Sequence, residues 1–198
     1  ILTSDNPSYI EQLLNMSQDI PVSRVGWTLG RILPLINNEQ FTKSINDSIH
    51  NYYSSLTNKP DESPFGVPYR PRIWGSGWTI QRLGVRHYYL YKYWQNEVSR
   101  EYMLNALNFI LGCRPGINTT SLASGVGANS TTIAYRVNRA DWSYIPGGVA
   151  SGTALIRPDY PELKEWPYLW QQTEYVIGGG ATNFMFLVLA AKQILEDE

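Results

Sequence analysis

The sequence predicts an all-α fold, and three observations carry that expectation. Apolar residues recur at helical spacing in five separate stretches, helix-breaking residues fall within or after two of them, and no run of alternating strands suffices for a sheet domain. At 198 residues the chain is long enough for one sizeable core, and two independent domains would be crowded.

In chain order, Tyr9 to Met16 is a weaker amphipathic stretch that suits a first helix. Val25, Leu29, Ile32, Leu33 and Ile36 lie on one face, with Pro34 predicting a kink or an early stop. Phe41, Ile45, Ile49, Tyr52 and Tyr53 form the next stripe, and Ile80, Leu83, His87, Leu90, Tyr91 and Trp94 a third. Met103, Leu107, Ile110 and Leu111 form a fourth, ended by Gly112 and then Pro115. Phe184, Leu187, Val188, Ala191, Ile194 and Leu195 complete the set. These patterns predict helices over 78–95, 100–112 and 182–196.

Between the helices run long Gly-, Pro-, Ser- and Asn-rich loops, 57–77 and 113–160, and loops of such length are usually functional. Short β-pairs such as Thr131–Tyr135 fit within the second. The implied architecture is several antiparallel helices with their large loops gathered at one end, which suits a helical toroid and an ordinary bundle equally.

The composition narrows the function. A net charge of −1 without a basic stripe disfavours nucleic acid and anionic membrane as partners, and no apolar run approaches the length of a membrane span. The chain opens on Ile-Leu-Thr-Ser, with neither an initiator Met nor a signal peptide, so a trimmed N-terminus is expected. The lone Cys113 excludes an internal disulfide and any multi-cysteine metal site, and its helix-ending context predicts a small packing residue. His50 and His87 stand far apart and give a histidine metal site little support. Seven Trp and fourteen Tyr raise the prospect of sugar stacking, although aromatic residues fill ordinary cores as well. Asn46, Asn118 and Asn129 each open a glycosylation triplet, a pattern that also arises by chance.

The sharpest local segment runs from Trp170 to Phe184, where Glu174 stands among Trp170, Tyr175 and the Gly178–Gly180 run. Burial against aromatics would raise its pKa and suit a general acid that holds its proton near neutrality. On chemistry alone, a helix-entry carboxylate on a solvated face accounts for it better. Trp74, Trp78, Tyr69 and Trp142 are loop or loop-edge aromatics able to stack on sugar rings. Each taken alone suits packing better, and their clustering in the two long loops is what points to platforms.

Three segments together resemble the C-terminal half of the family-nine glycoside hydrolases, endoglucanase-like enzymes of the six-hairpin type with an (α/α)6 barrel. Pro64-Phe-Gly-Val-Pro-Tyr followed by Ile73-Trp-Gly-Ser-Gly-Trp is similar to that family's Gly-Val-Pro and Trp-Gly-rich segment. Tyr102-Met-Leu-Asn-Ala-Leu-Asn-Phe-Ile-Leu-Gly-Cys-Arg-Pro resembles its helix ending in Tyr-Ile-Leu-Gly-Arg-Asn-Pro. Thr173-Glu-Tyr-Val-Ile, followed by Ala181 and the apolar helix, resembles the segment whose Glu is the general acid. The likeness runs in the same order over about residues 64–195 and assigns the acid to Glu174.

Departures accompany the likeness. The family's His-Arg sugar-contacting segment has no His here, and Tyr135-Arg-Val-Asn-Arg-Ala-Asp-Trp stands in its place, with Arg136 and Arg139 as the candidate sugar contacts or as exposed loop arginines. Thr173 occupies the position before the acid, where the family usually has Asn. The family's water-activating Asp-Ala-Gly-Asp segment is absent, and Asp141, Asp159 and Glu162 are acids near the functional region, none of which is assigned as the base.

The resemblance therefore implies that 1–198 is the C-terminal portion of a glycoside hydrolase catalytic domain, part of an (α/α)6 toroid with long loops on one face. It implies a secreted enzyme of polysaccharide degradation, extracellular or periplasmic, acting on a polysaccharide or oligosaccharide and needing no cofactor for the reaction. The base and the rest of the toroid would come from the N-terminal remainder of the same enzyme. Two rival readings are a catalytically silent glycan-binding or scaffold domain, and a polysaccharide lyase on a toroid scaffold using Tyr135, Arg136 and Arg139.

Overall fold

The computed structural model describes residues 6–16, 20–57, 65–68, 75–113, 119–130, 145–151 and 179–196. Among these, helix dominates, as expected: α1 (Pro7–Asn15), α2 (Val22–Ile36), α3 (Glu39–Thr57), α4 (Ser76–Tyr93), α5 (Glu101–Ile110) and α6 (Gly179–Glu196). The strands among the described residues are β1 (Thr120–Ser121) and β2 (Asn129–Ser130), which pair in parallel with Thr120 opposite Asn129. The chain divides into two units, Ile1–Pro60 with Arg86–Ser99, and Asp61–Val85 with Arg100–Glu198.

The first unit is built from α1, α2, α3 and the C-terminal part of α4. Asn6 caps α1 by accepting the Ser8 N–H at 3.0 Å, ahead of Pro7 in the first helical turn. Pro34 lies inside α2, and the helix continues past it to Ile36, the last residue of the apolar stripe, so the early stop offered by the sequence is corrected. Asn37 then turns the chain in the left-handed region, with φ of 46°. Asn38 caps α3 from just before its start, its Oδ1 accepting the Phe41 N–H at 2.9 Å, and Glu39 sits in the first turn, where the helix dipole favours an anion.

The core of this unit gathers Leu29 and Ile36 from α2, Phe41, Ile45 and Ile49 from α3, and Leu90 with Trp94 from the end of α4. Close approach between α2 and α4 depends on a notch at Gly26 and Gly30. A Cβ at Gly26 would overlap the Leu90 side chain, and one at Gly30 would overlap the Tyr93 ring. Side chains on α3 also hold the turn after α4. Trp94 Nε1–H donates to Asn46 Oδ1 at 2.8 Å, Ser99 N–H donates to the Tyr53 hydroxyl at 3.0 Å, and His50 Nδ1 lies 2.8 Å from a Glu97 oxygen.

The second unit joins the N-terminal part of α4 with α5, α6 and a strap formed by 119–130 and 145–151. Its core contains Ile80, Ala106, Phe109, Ile110, Leu122, Ala123, Val149 and Ala150, together with Phe65 and Val67. The end of α5 follows the sequence signal closely. Gly112, with φ of 74°, takes the left-handed position that a side chain disfavours, its N–H bonds to Phe109 O, and Cys113 N–H bonds to Asn108 O at 2.9 Å. The expectation of a packed Cys113 is corrected here: the residue is exposed. The turn that stops the helix carries Cys113 out beyond the core.

The apolar stripe assigned to α6 also needs correction. Leu187, Ala191 and Ile194 are buried as expected, with Ala190, whereas Val188 and Leu195 are exposed. The helix is apolar almost all round, so its sequence period selects no single face.

Candidate functional site

The loop 113–160 was expected to be mostly irregular, and its described part explains how such a segment is held. After α5, the orphan carbonyls at the helix end are capped from the strap: Leu122 N–H donates to Ile110 O at 2.7 Å and Ala128 N–H to Leu111 O at 2.9 Å. Ala150 N–H then donates to Leu122 O at 2.7 Å, and Ala123 bridges antiparallel to Val149. At the other end of the strap, Ser151 O accepts the Gly77 N–H in the first turn of α4 at 3.1 Å. The strap thus links the C-terminus of α5 to the N-terminus of α4 through main-chain bonds. Thr131–Tyr135, suggested above as a β-pair, lies outside the described residues.

Small and polar side chains make this close approach possible. Ser121, Ser124 and Ser151 are buried beside Ala123 and Ala150. Ser121 Oγ accepts the Ala123 N–H at 3.2 Å and lies 3.0 Å from Ala123 O and 3.3 Å from Ile110 O. Phe65 stacks edge-on against Phe109, with ring centroids 5.0 Å apart, and Asn105 Nδ2 donates to Gly66 O at 2.9 Å. The Phe-Gly-Val segment is therefore fixed to α5.

Of the residues singled out in the sequence, Trp78 lies among the described ones. It sits in the first turn of α4, half-buried and packed against the core of the second unit. Glu174, Trp74, Tyr69, Arg136, Arg139 and Trp142 lie outside the described residues, as do Asp141, Asp159 and Glu162.

Two buried polar side chains on α4 complete the picture, one in each unit. In the second unit Gln81 is fully buried, and among the described residues neither its amide oxygen nor its amide nitrogen has a hydrogen-bond partner. Sequence reading passed over it because a single Gln beside Ile80 does not disturb the helical period. In the first unit His87 is buried and stacks near Tyr52, with centroids 6.3 Å apart and planes inclined by 27°. Burial, with a smaller contribution from the charge of Arg86, lowers its pKa from 6.5 to about 4, so it is neutral at physiological pH.

The first unit also bears a cleft of about 670 Å3 at the α2–α3 turn, lined by Asn37, Asn38, Glu39, Lys43, Asn46 and Asp47 among others. Among the described residues no three His, Cys, Asp or Glu side chains converge as a metal site would require, and no helix is long and apolar enough to cross a membrane. Compared with protein-family models, with curated proteins and with solved structures, the chain finds no significant match.

Proposed function

We propose that this chain is the C-terminal portion of a glycoside hydrolase catalytic domain, built as part of an (α/α)6 toroid and acting on a polysaccharide or oligosaccharide outside the cytoplasm. One observation supports this reading above the others. The segments that carry the family resemblance, Phe65-Gly-Val, Gly75–Trp78 and the α5 end at Leu111-Gly-Cys, belong to one unit, where the strap and the Phe65–Phe109 contact tie them together. Segments separated in sequence but gathered in one unit are what a shared binding face requires.

In this reading Glu174 protonates the departing glycosidic oxygen, and a carboxylate from the N-terminal remainder activates water on the opposite face of the sugar. An inverting pair of this kind stands about 6.5–9.5 Å apart to admit the water. Trp74, Trp78, Tyr69 and Trp142 supply stacking surfaces, and Arg136 and Arg139 contact the sugar. No cofactor takes part.

The reading is tested by assaying β-glucan hydrolysis with the 198-residue chain alone and with the complete enzyme. The expected result is little or no turnover by the chain and turnover by the complete enzyme. Robust turnover by the chain would place the base within it and direct attention to Asp141 and Asp159. Glycan binding without turnover by the complete enzyme would replace the hydrolase with a silent glycan-binding domain.

A further inference from the structure

The solvent face of α2 in the first unit combines features that composition alone does not explain. Trp27 is 41% exposed, and its ring lies against Tyr89 of α4, with centroids 6.2 Å apart and planes inclined by 47°. Tyr89 in turn runs nearly parallel to Tyr93, with centroids 6.4 Å apart and planes 15° apart, and Tyr93 fills the notch at Gly30. Three aromatic rings therefore form a row along the α2–α4 seam, with Trp27 at its exposed end.

Cations surround the row. Arg24 and Arg31 are exposed at the positions before and after Trp27 that share its helix face, and Lys92 lies 6.0 Å from the centre of the Tyr93 ring. No carboxylate side chain occurs on α2 or α4, although the chain contains 17 Asp and Glu residues. None of these three cations takes part in an ion pair among the described residues, whose ion pairs join His50 to Glu97 and Lys192 to Glu196. An exposed Trp flanked by two uncommitted guanidiniums combines an apolar stacking face with forked donors that match carboxylate geometry.

We infer that the Arg24–Trp27–Arg31 face of α2, with Tyr89 beside it, is a binding site for an anionic polysaccharide whose sugars carry carboxylates. Trp27 stacks on a sugar ring, and the two arginines bind uronate groups on either side. The arginines are separated by about 10 Å along the helix axis, the reach of neighbouring sugar rings. The face is an open helix surface, so a polymer that engages repeated contacts suits it better than a small ligand. Nucleic acid carries a phosphate at every nucleotide and calls for a longer basic track than three cations on a chain of net charge −1. The site stands on the first unit and requires no hydrolysis, so it holds or fails separately from the role of Glu174.

Affinity electrophoresis of the 198-residue chain tests this, using gels that contain polygalacturonate or the same polymer with its carboxylates reduced to alcohols. The chain should be retarded by polygalacturonate and much less by the reduced polymer. Trp27→Ala should weaken retardation by about tenfold or more, as loss of an aromatic anchor does. The double variant Arg24→Gln, Arg31→Gln should erase the preference for the acidic polymer. All three substitutions fall on exposed side chains, and circular dichroism checks that helix content is unchanged. Absence of retardation by polygalacturonate, equal retardation of wild type and both variants, or tighter binding to a single-stranded oligonucleotide would each overturn the assignment.

Discussion

The two units bury their interiors by different means. The first closes around large side chains at helical spacing, with Leu29, Phe41, Ile45, Ile49, Leu90 and Trp94 in one cluster. The second mixes helix residues with a non-helical strap whose inner positions carry Ser and Ala beside Leu122 and Val149, held by main-chain hydrogen bonds to the ends of α4 and α5. A helix-packed core advertises itself through apolar periodicity. A strap does not, because its stability lies in backbone bonds that any small residue can make.

The largest expected effect tests the packing side of this contrast. Phe109→Ala in the second unit removes a ring that is almost fully buried and lies edge-on against Phe65, and should cost about 3–5 kcal/mol in urea unfolding. A cost near zero would mean that the strap, rather than the aromatic contact, supports that core.

The next test concerns His87. Its folded pKa lies near 4 and its unfolded value near 6.5, so the unfolded chain binds the proton first as pH falls. The stabilising contribution is fully present above pH 6.5 and is lost as pH drops toward 4, by an amount on the order of 3 kcal/mol. Urea midpoints measured between pH 7.5 and 4 should show this loss, and His87→Leu should flatten the slope across that window. An unchanged slope in the variant would remove His87 as its source.

Gln81 sharpens the comparison at the other end of α4. Gln81 has no partner among the described residues, and a buried amide without one costs free energy, so Gln81→Met, which keeps the volume, should stabilise the protein by about 1 kcal/mol or more. Destabilisation would show that the amide is satisfied in the native protein and has a role there. The smallest effect belongs to the exposed pair His50 and Glu97, where Glu97→Gln should change stability by less than about 1 kcal/mol.

The same contrast explains how much was legible in the sequence. The stripes at Phe41–Ile45–Ile49 and Met103–Leu107–Ile110 placed α3 and α5, because a buried helix face repeats every three or four residues. Gly112 marked the end of α5 through backbone chemistry that acts locally, whereas Pro34 was accommodated within α2. The faces of α6 were misassigned, since apolar residues surround that helix and only packing selects among them. The parallel pairing of β1 with β2 and the Ala123–Val149 bridge had no sequence signal, because two-residue strands are too short to alternate. Of the candidate site, Trp78 was located at the start of α4, and the burial of Gln81 was missed. Trp27 escaped notice because an exposed aromatic on an amphipathic helix breaks the pattern without naming a chemistry.

The proposed role of Glu174 as the general acid of a glycosidase is decided by a single substitution. In a complete enzyme containing this segment, Glu174→Gln keeps the shape of the side chain and removes its proton. Hydrolysis of glycosides with poor leaving groups should fall by about 10²–10⁴-fold, while aryl glycosides that depart without protonation lose far less and substrate binding changes little. An equal loss of rate on good and poor leaving groups would contradict the acid role and leave Glu174 as a structural or sugar-positioning residue.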